Sequence, residues 1–309
     1  MRMLIALLAA SMPLLSQSAP RPKILGVAHI GLYVSDIGKS RAFYHDLLGF
    51  EEAFGVTNPD GKVTMTFVKI NDNQYIELFP TLKPGQDRLA HIAFYTDDAE
   101  AMHRYLTSRG VAAPPNVAVG RVGNAQFKVK DPDGHEVEFL QYLPASKAAQ
   151  SRGRFMGPQR ASSILRHVGI LVGNLDAALK FYSGILGCDE RWRGSSDGKF
   201  LSWVNMKVPD GDDYVEFMLY RELPPPDRRG SVHHLCLETP DVPKALAELE
   251  TRPGRKAYAR PLEWRTGTNR RRLANLFDPD GTRSELMEPK TVDGEPAPWS
   301  KAPAPTPAQ

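Results

Sequence analysis

Cysteine is nearly missing from this chain: Cys188 and Cys236 are the only two in 309 residues, too few for a disulfide framework. Cys236 follows His234 by two positions, which on a strand puts both side chains on one face. It reads first as a small buried apolar residue, with a thiol ligand or nucleophile as the alternative. Long apolar runs are missing too, and none reaches the ~18 residues of a membrane-spanning helix. Neither sign of charge dominates: 39 Lys and Arg against 36 Asp and Glu leave a net charge of +3, which makes no electrostatic case for nucleic acid as a partner. The first residues do hold a leader pattern. Arg2, an apolar stretch from Leu4 to Leu15, and Ser16-Gln17-Ser18 before Ala19 predict a signal peptide over residues 1–18. The expected location is secreted or periplasmic, with no membrane attachment after cleavage.

The chain has 8 histidines, and four of them head alternating apolar segments: VAHIGLYV, LAHIAFYT, LRHVGILV and HHLCLET. These residues are His29, His91, His167 and His234. Phe43 of FYHDLLG and Phe181 of FYSGILG lie 138 residues apart, the same separation as His29 and His167. Asp131 and Asp278, which both open DPDG, and Glu138 and Glu285 lie 147 apart. A slowly growing offset marks a duplicated domain that has gained loop residues. Each half splits again: 62 residues separate His29 from His91, and 67 separate His167 from His234.

The repeating unit predicts a strand, a helix and three more strands. In the first copy Ala28, Ile30, Leu32 and Val34 face one way and His29, Gly31 and Tyr33 the other. Ser35 or Asp36 would cap the helix, Phe43, Leu47 and Leu48 would form its apolar stripe, and Gly49 would end it. Strands are expected near 51–56, 63–70 and 74–79. The fold class is therefore α+β, four βαβββ modules forming two domains, 24–142 and 164–288. A polar linker (143–163) would join them, and a Pro/Ala-rich tail (289–309) too poor in apolar side chains to pack would be disordered. The arginine-rich stretch 252–272 reads either as a solvated loop or as a clamp for an anionic substrate.

Period-two alternation also decides which polar residues meet. Glu77 sits between Ile76 and Leu78, Glu138 between Val137 and Phe139, and Glu216 between Val215 and Phe217, while Glu285 precedes Leu286. All four carboxylates, like the histidines, face away from the apolar side. Two modules side by side would bring two His and two Glu into one cleft per domain. Buried carboxylates need pairing or a cation. Two imidazoles with carboxylates suit Fe, Mn, Ni, Co or Zn and leave positions open for a small-molecule substrate.

HIGLYVSDIGKSRAFYHDLLGF (His29–Phe50), HVGILVGNLDAALKFYSGILG (His167–Gly187), DPDGHEVEF and DPDGTRSEL together resemble the vicinal oxygen chelate superfamily. Its members include glyoxalase I, extradiol dioxygenases, methylmalonyl-CoA epimerase, and fosfomycin and bleomycin resistance proteins. The resemblance implies two glyoxalase-like open barrels, each curved around a divalent metal. It implies His29, His91 and Glu138 as ligands in the first domain, and His167, His234 and Glu285 in the second. Glu77 and Glu216 would stand as fourth ligands or as catalytic bases. His233 would point to the opposite face from His234.

Metal-stabilised oxyanion or enediolate chemistry, of lyase or isomerase type with a carboxylate shuttling the proton, is the expected activity. Ring-cleaving extradiol chemistry is the first alternative, but Arg265–Asp278 holds neither the His nor the Tyr that the resemblance places before the last ligand. A metal-free sequestering protein of the bleomycin-resistance type is the second.

Overall fold

The computed structural model describes residues 20–306, so the expected signal peptide lies outside the described residues. The first module is β1 (Gly26–Tyr33), α1 (Ile37–Arg41) running into a π-turn (Ala42–Leu47), β2 (Glu51–Thr57), β3 (Val63–Lys69) and β4 (Tyr75–Phe79). The second is β5 (Leu89–Tyr95), α2 (Ala99–Ser108), β6 (Ala118–Val119), β7 (Ala125–Lys130) and β8 (Glu136–Gln141). After α3 (Lys147–Gln150) the plan recurs as β9 (Ile164–Val172), α4 (Leu175–Leu179) with its own π-turn (Lys180–Ile185), β10 (Asp189–Gly194), β11 (Trp203–Lys207) and β12 (Tyr214–Leu219). The last module is β13 (His234–Glu238), α5 (Val242–Glu250), β14 (Trp264–Thr266), β15 (Arg271–Phe277) and β16 (Arg283–Thr291).

Local chemistry explains the breaks. Asp36 caps α1, its Oδ1 accepting from the amides of Gly38 and Lys39 at 2.8 and 3.1 Å. Gly49, at φ +77°, supplies the left-handed residue that ends the turn. The π-turns give the consecutive aromatics Phe43–Tyr44 and Phe181–Tyr182 room to face inward together, and all four are buried.

Each half is a curled eight-stranded sheet, ordered β2-β3-β4-β1-β5-β8-β7-β6 and β10-β11-β12-β9-β13-β16-β15-β14. β1 is parallel to β4 and antiparallel to β5, and β9 relates to β12 and β13 in the same way. The apolar faces of both sheets share one continuous core, in which Ile30, Ile76 and Val137 join Val168, Phe217 and Leu286 with helix residues such as Met102 and Leu249. One local expectation needs correcting. A register shift between Val27 and His29 puts Val27 in that core and moves Ala28 into a separate cluster with Ala93 and Leu140.

Two features hold segments that the sequence left loose. Lys69 is fully buried, and its ammonium donates to Asp72 Oδ1 at 2.6 Å and to the carbonyls of Ser151 and Arg154 at 2.6 and 2.9 Å. A buried ammonium requires those partners, so it pins the 143–163 segment to the first domain. The Pro/Ala-rich tail, expected to be disordered, is docked over its described part. Trp192 Nε1 donates to Pro298 O at 2.8 Å, Ser300 N to Arg193 O at 3.0 Å and Leu201 N to Pro303 O at 2.9 Å. Its backbone covers the outer side of β10, an edge strand with unsatisfied groups to offer, so it needs few apolar side chains of its own.

Reciprocal bonds lock the halves. Tyr44 donates to Asp278 Oδ2 across the interface at 3.3 Å, and Tyr182 donates back to Asp131 Oδ2 at 3.0 Å. The Ser35 amide meets Asp280 as the Gly173 amide meets Asp133, both at 2.9 Å. Asp278 is 3 % exposed, and burial pushes its carboxyl from an ordinary 3.8 up to about 6, against the pull of the Thr282 and Asp280 amides. The folded chain therefore keeps a proton that the unfolded chain has already lost, so stability falls as pH rises through that window. Asp278→Asn keeps the accepting oxygen without the titration. Its thermal midpoint should gain on that of the parent between pH 4 and pH 7, by the equivalent of about 2 kcal/mol. A difference that stays constant with pH would refute the assignment.

Candidate metal centre

The histidine strands run side by side, so that Gly31 opposes His91 across β1 and β5, and Gly169 opposes His234 across β9 and β13. Those glycines make room for the rings. A Cβ at Gly31 would stand 2.5 Å from His91 Cε1, and one at Gly169 would collide with the His234 imidazole. The sequence carried this signal as a glycine two residues after a strand histidine, in HIG and HVG, but its meaning depends on a partner strand some 60 residues away.

In the first domain the four expected residues converge. Nε2 of His29 and Nε2 of His91 are 2.8 Å apart. Glu77 Oε2 lies 3.3 Å from the first and 3.1 Å from the second, while Glu138 Oε2 lies 3.9 and 3.1 Å from them. All four side chains are buried. Donor atoms ~2.1 Å from a shared cation stand ~3.0 Å apart at right angles and ~3.4 Å apart at tetrahedral angles. His29, Glu77 and His91 therefore fit a divalent ion in both spacing and chemistry, with Glu138 beside them. Burial pushes the Glu77 carboxyl up, yet the His29 and His91 imidazoles bring it down to about 2. Burial likewise works against charge on His91, but Glu138 and Glu77 raise it to about 9. The cluster is thus built to bind positive charge.

A cavity of about 370 Å³ opens over these donors. Phe67 and Phe79 form part of its apolar wall; Arg121, Gln126 and Lys128 supply polar groups. The Lys128 ammonium lies 3.1 Å from Glu136 Oε2. Sequence reasoning did not pick out Arg121 or Lys128, because a lone cation in a turn or on a short strand carries no motif.

The second domain gathers its own set differently. His167 and His234 face each other through Nε2 atoms 3.0 Å apart, with Glu216 Oε2 3.8 and 3.4 Å away. The donor atoms of His167, Cys236 and Glu285 also lie within 4.8 Å of one another. Burial pushes both imidazoles well below their ordinary value, and at His234 the neighbouring Arg283 adds to the effect. Burial, offset by Arg283, leaves Glu285 up at about 7. The cavity here is only about 50 Å³. His233 points elsewhere, as expected, with Nδ1 3.0 Å from Asp87 Oδ1. All eight predicted residues thus gather within their own domains, those of the second in two overlapping groups that share His167, one with Glu216 and His234 and one with Cys236 and Glu285.

Two curled βαβββ pairs with a His/Glu cluster in each cup define the class, and the Glyoxalase/Bleomycin resistance protein/Dioxygenase superfamily profile matches residues 26–139 and 164–286. The chain belongs to that superfamily. Among curated relatives, the uncharacterized protein YwbC of Bacillus subtilis is 28% identical over 127 residues, covering 37% of this chain and 96% of its own length. A lactoylglutathione lyase of Haemophilus influenzae is 28% identical over 123 residues, covering 37% and 91%. Among solved structures, a Mn(II)-bound glyoxalase from Novosphingobium aromaticivorans superimposes with TM-score 0.66 at 18% identity, over 91% of this chain and 88% of that one. A homoprotocatechuate 2,3-dioxygenase variant from B. fuscum gives 0.67 at 19% identity, over 92% and 76%. At those identities the structures share the fold.

Proposed function

We propose that the chain is a divalent-metal-dependent enzyme working through its first domain, of lyase or isomerase type, on a small oxygen-bearing substrate. The observation that carries this is the convergence of four donor atoms on the floor of a cavity large enough for such a molecule. A cation held there would polarise substrate oxygens and stabilise a developing oxyanion or enediolate. His29, His91 and Glu77, whose donor atoms are 2.8–3.3 Å apart, would hold it. Glu138 stands further from His29, at 3.9 Å, and its pKa is lowered by His91 and His29 despite burial, so it is ionised and placed to take and return a proton. This reading exchanges the roles that the resemblance implied for Glu77 and Glu138.

Phe67 and Phe79 shield one side of the cavity from water, and Lys128 and Arg121 favour a substrate that bears an acid group. The described residues lining the cavity include no tyrosine and no histidine beyond the two donors, which leaves proton transfer to the carboxylates and Lys128 and favours isomerase or lyase chemistry over ring cleavage. Export, read from the leader residues, belongs to this proposal and argues for a substrate other than a glutathione adduct.

The test is solvent deuterium exchange into α-hydroxy carbonyl acids by the Mn(II)-loaded protein. Glu138→Gln should lower exchange ~10²-fold or more while retaining metal. Oxygen uptake with catechols would move the assignment to a dioxygenase. Tight binding of the acids without exchange would move it to a sequestering protein.

A further inference from the structure

Among the side chains that distinguish the two cups, one reverses the charge that repeat symmetry predicts. Arg283 occupies the place in β16 that Glu136 holds in β8, each one strand position ahead of the buried residue that precedes the last cluster carboxylate. Glu136 is exposed and accepts from Lys128, whose ammonium also lies 3.4 Å from His91 Nδ1. Arg283 turns in: its Nη2 lies 2.8 Å from both ring nitrogens of His234, and its Nη1 lies 3.8 Å from Glu285 Oε2.

We propose that Arg283 is the resident cation of the second domain, so that this cup is neutralised from within the chain and the whole protein carries one metal ion, in the first domain. The inference rests on the first-domain reading for its point of comparison. Proton bookkeeping supports it. His234 Nδ1 sits 2.7 Å from Val232 O, a carbonyl that can only accept, so Nδ1 carries the proton. The one lone pair left on the ring, at Nε2, is crowded by the guanidinium, whose Nη2 packs against the ring 2.8 Å away, and by His167 Nε2 at 3.0 Å. A metal ligand needs that same lone pair.

Charge bookkeeping agrees. Each cup buries two carboxylates, Glu77 with Glu138 and Glu216 with Glu285. The first has Lys128 on the far side of His91, 3.4 Å from Nδ1 and away from the Nε2 donor, whereas the second has Arg283 beside Nε2, with Arg265 also lining its cavity. Space agrees as well: the second cup, lined by Arg283 together with Trp192, Trp203 and Arg265, keeps about 50 Å³ where the first domain has about 370 Å³. A second cation would have to displace a tethered one of the same sign that is already packed against its ligand. His167, Glu216, His234 and Glu285 are thereby released from metal binding and act as a structural ion cluster. Cys236, where the first domain has Ala93, fills space beside them as a buried thiol.

The experiment is metal content, by mass spectrometry, of the full chain loaded with Mn(II) and desalted. The parent protein should carry one ion, His91→Ala none, and His234→Ala still one. Arg283→Ser, which removes the guanidinium and opens the cup, should rise from one ion to two. A parent chain carrying two ions, or a ratio that falls on His234→Ala, overturns the proposal even if Arg283→Ser fails to fold. A folded Arg283→Ser that stays at one ion also overturns it. The first-domain reading fails separately, by His91→Ala retaining its ion.

Discussion

Mn(II) should raise the thermal midpoint of the parent protein and leave that of His91→Ala unmoved. A ligand that binds only the folded state adds about 2.7 kcal/mol when present at 100 times its dissociation constant. His91 Nε2 is the donor common to the shortest contacts in the cup, lying within 3.1 Å of His29 Nε2 and of both carboxylates. Removing outer partners of a metal ligand already costs ~10–100-fold in affinity, and removing the ligand itself should cost more than ~100-fold. The variant should also be less stable in chelator, by about 1–3 kcal/mol, because Glu77 and Glu138 remain buried with a partner gone. Calorimetry with and without Mn(II), beside metal analysis, reads both effects. An equal Mn(II)-dependent rise in the variant would place the ion elsewhere.

Gly31→Val should abolish the same metal response without touching a donor atom. Even the first added carbon would stand 2.5 Å from His91 Cε1, and a β-branched side chain has no rotamer that avoids the ring. The imidazole must swing off its line to Glu77, and overpacking at such a site costs about 1–3 kcal/mol. Gly184→Ala is the control. An added Cβ there meets nothing within 4 Å, so its metal binding should match the parent. Full Mn(II) affinity in Gly31→Val would show that the His91 ring does not depend on the groove.

Much of this architecture is legible from strand periodicity, because a duplicated domain states its pattern more than once. The strands near 51–56, 63–70 and 74–79, the Asp36 cap and the Gly49 stop appear where local chemistry puts them. The convergence of His29, Glu77, His91 and Glu138 follows from alternation, since each lies opposite an apolar face that must be buried. What escapes is whatever depends on a partner distant in sequence. Tyr44 and Asp278 each belong to a visible motif, but their meeting needs the packing of one half on the other. The tail docks through backbone groups, which composition does not register. Arg283 is one unremarkable arginine among many, and only the folded chain shows it turned toward His234.

The mutual Tyr–Asp ties between the halves bear on how such a protein diverges. Two copies bound by a shared core travel as one heritable unit, so neither can be discarded without exposing the other's apolar flank. A copy that gave up its own chemistry would therefore still be kept as masonry, for the flank it closes.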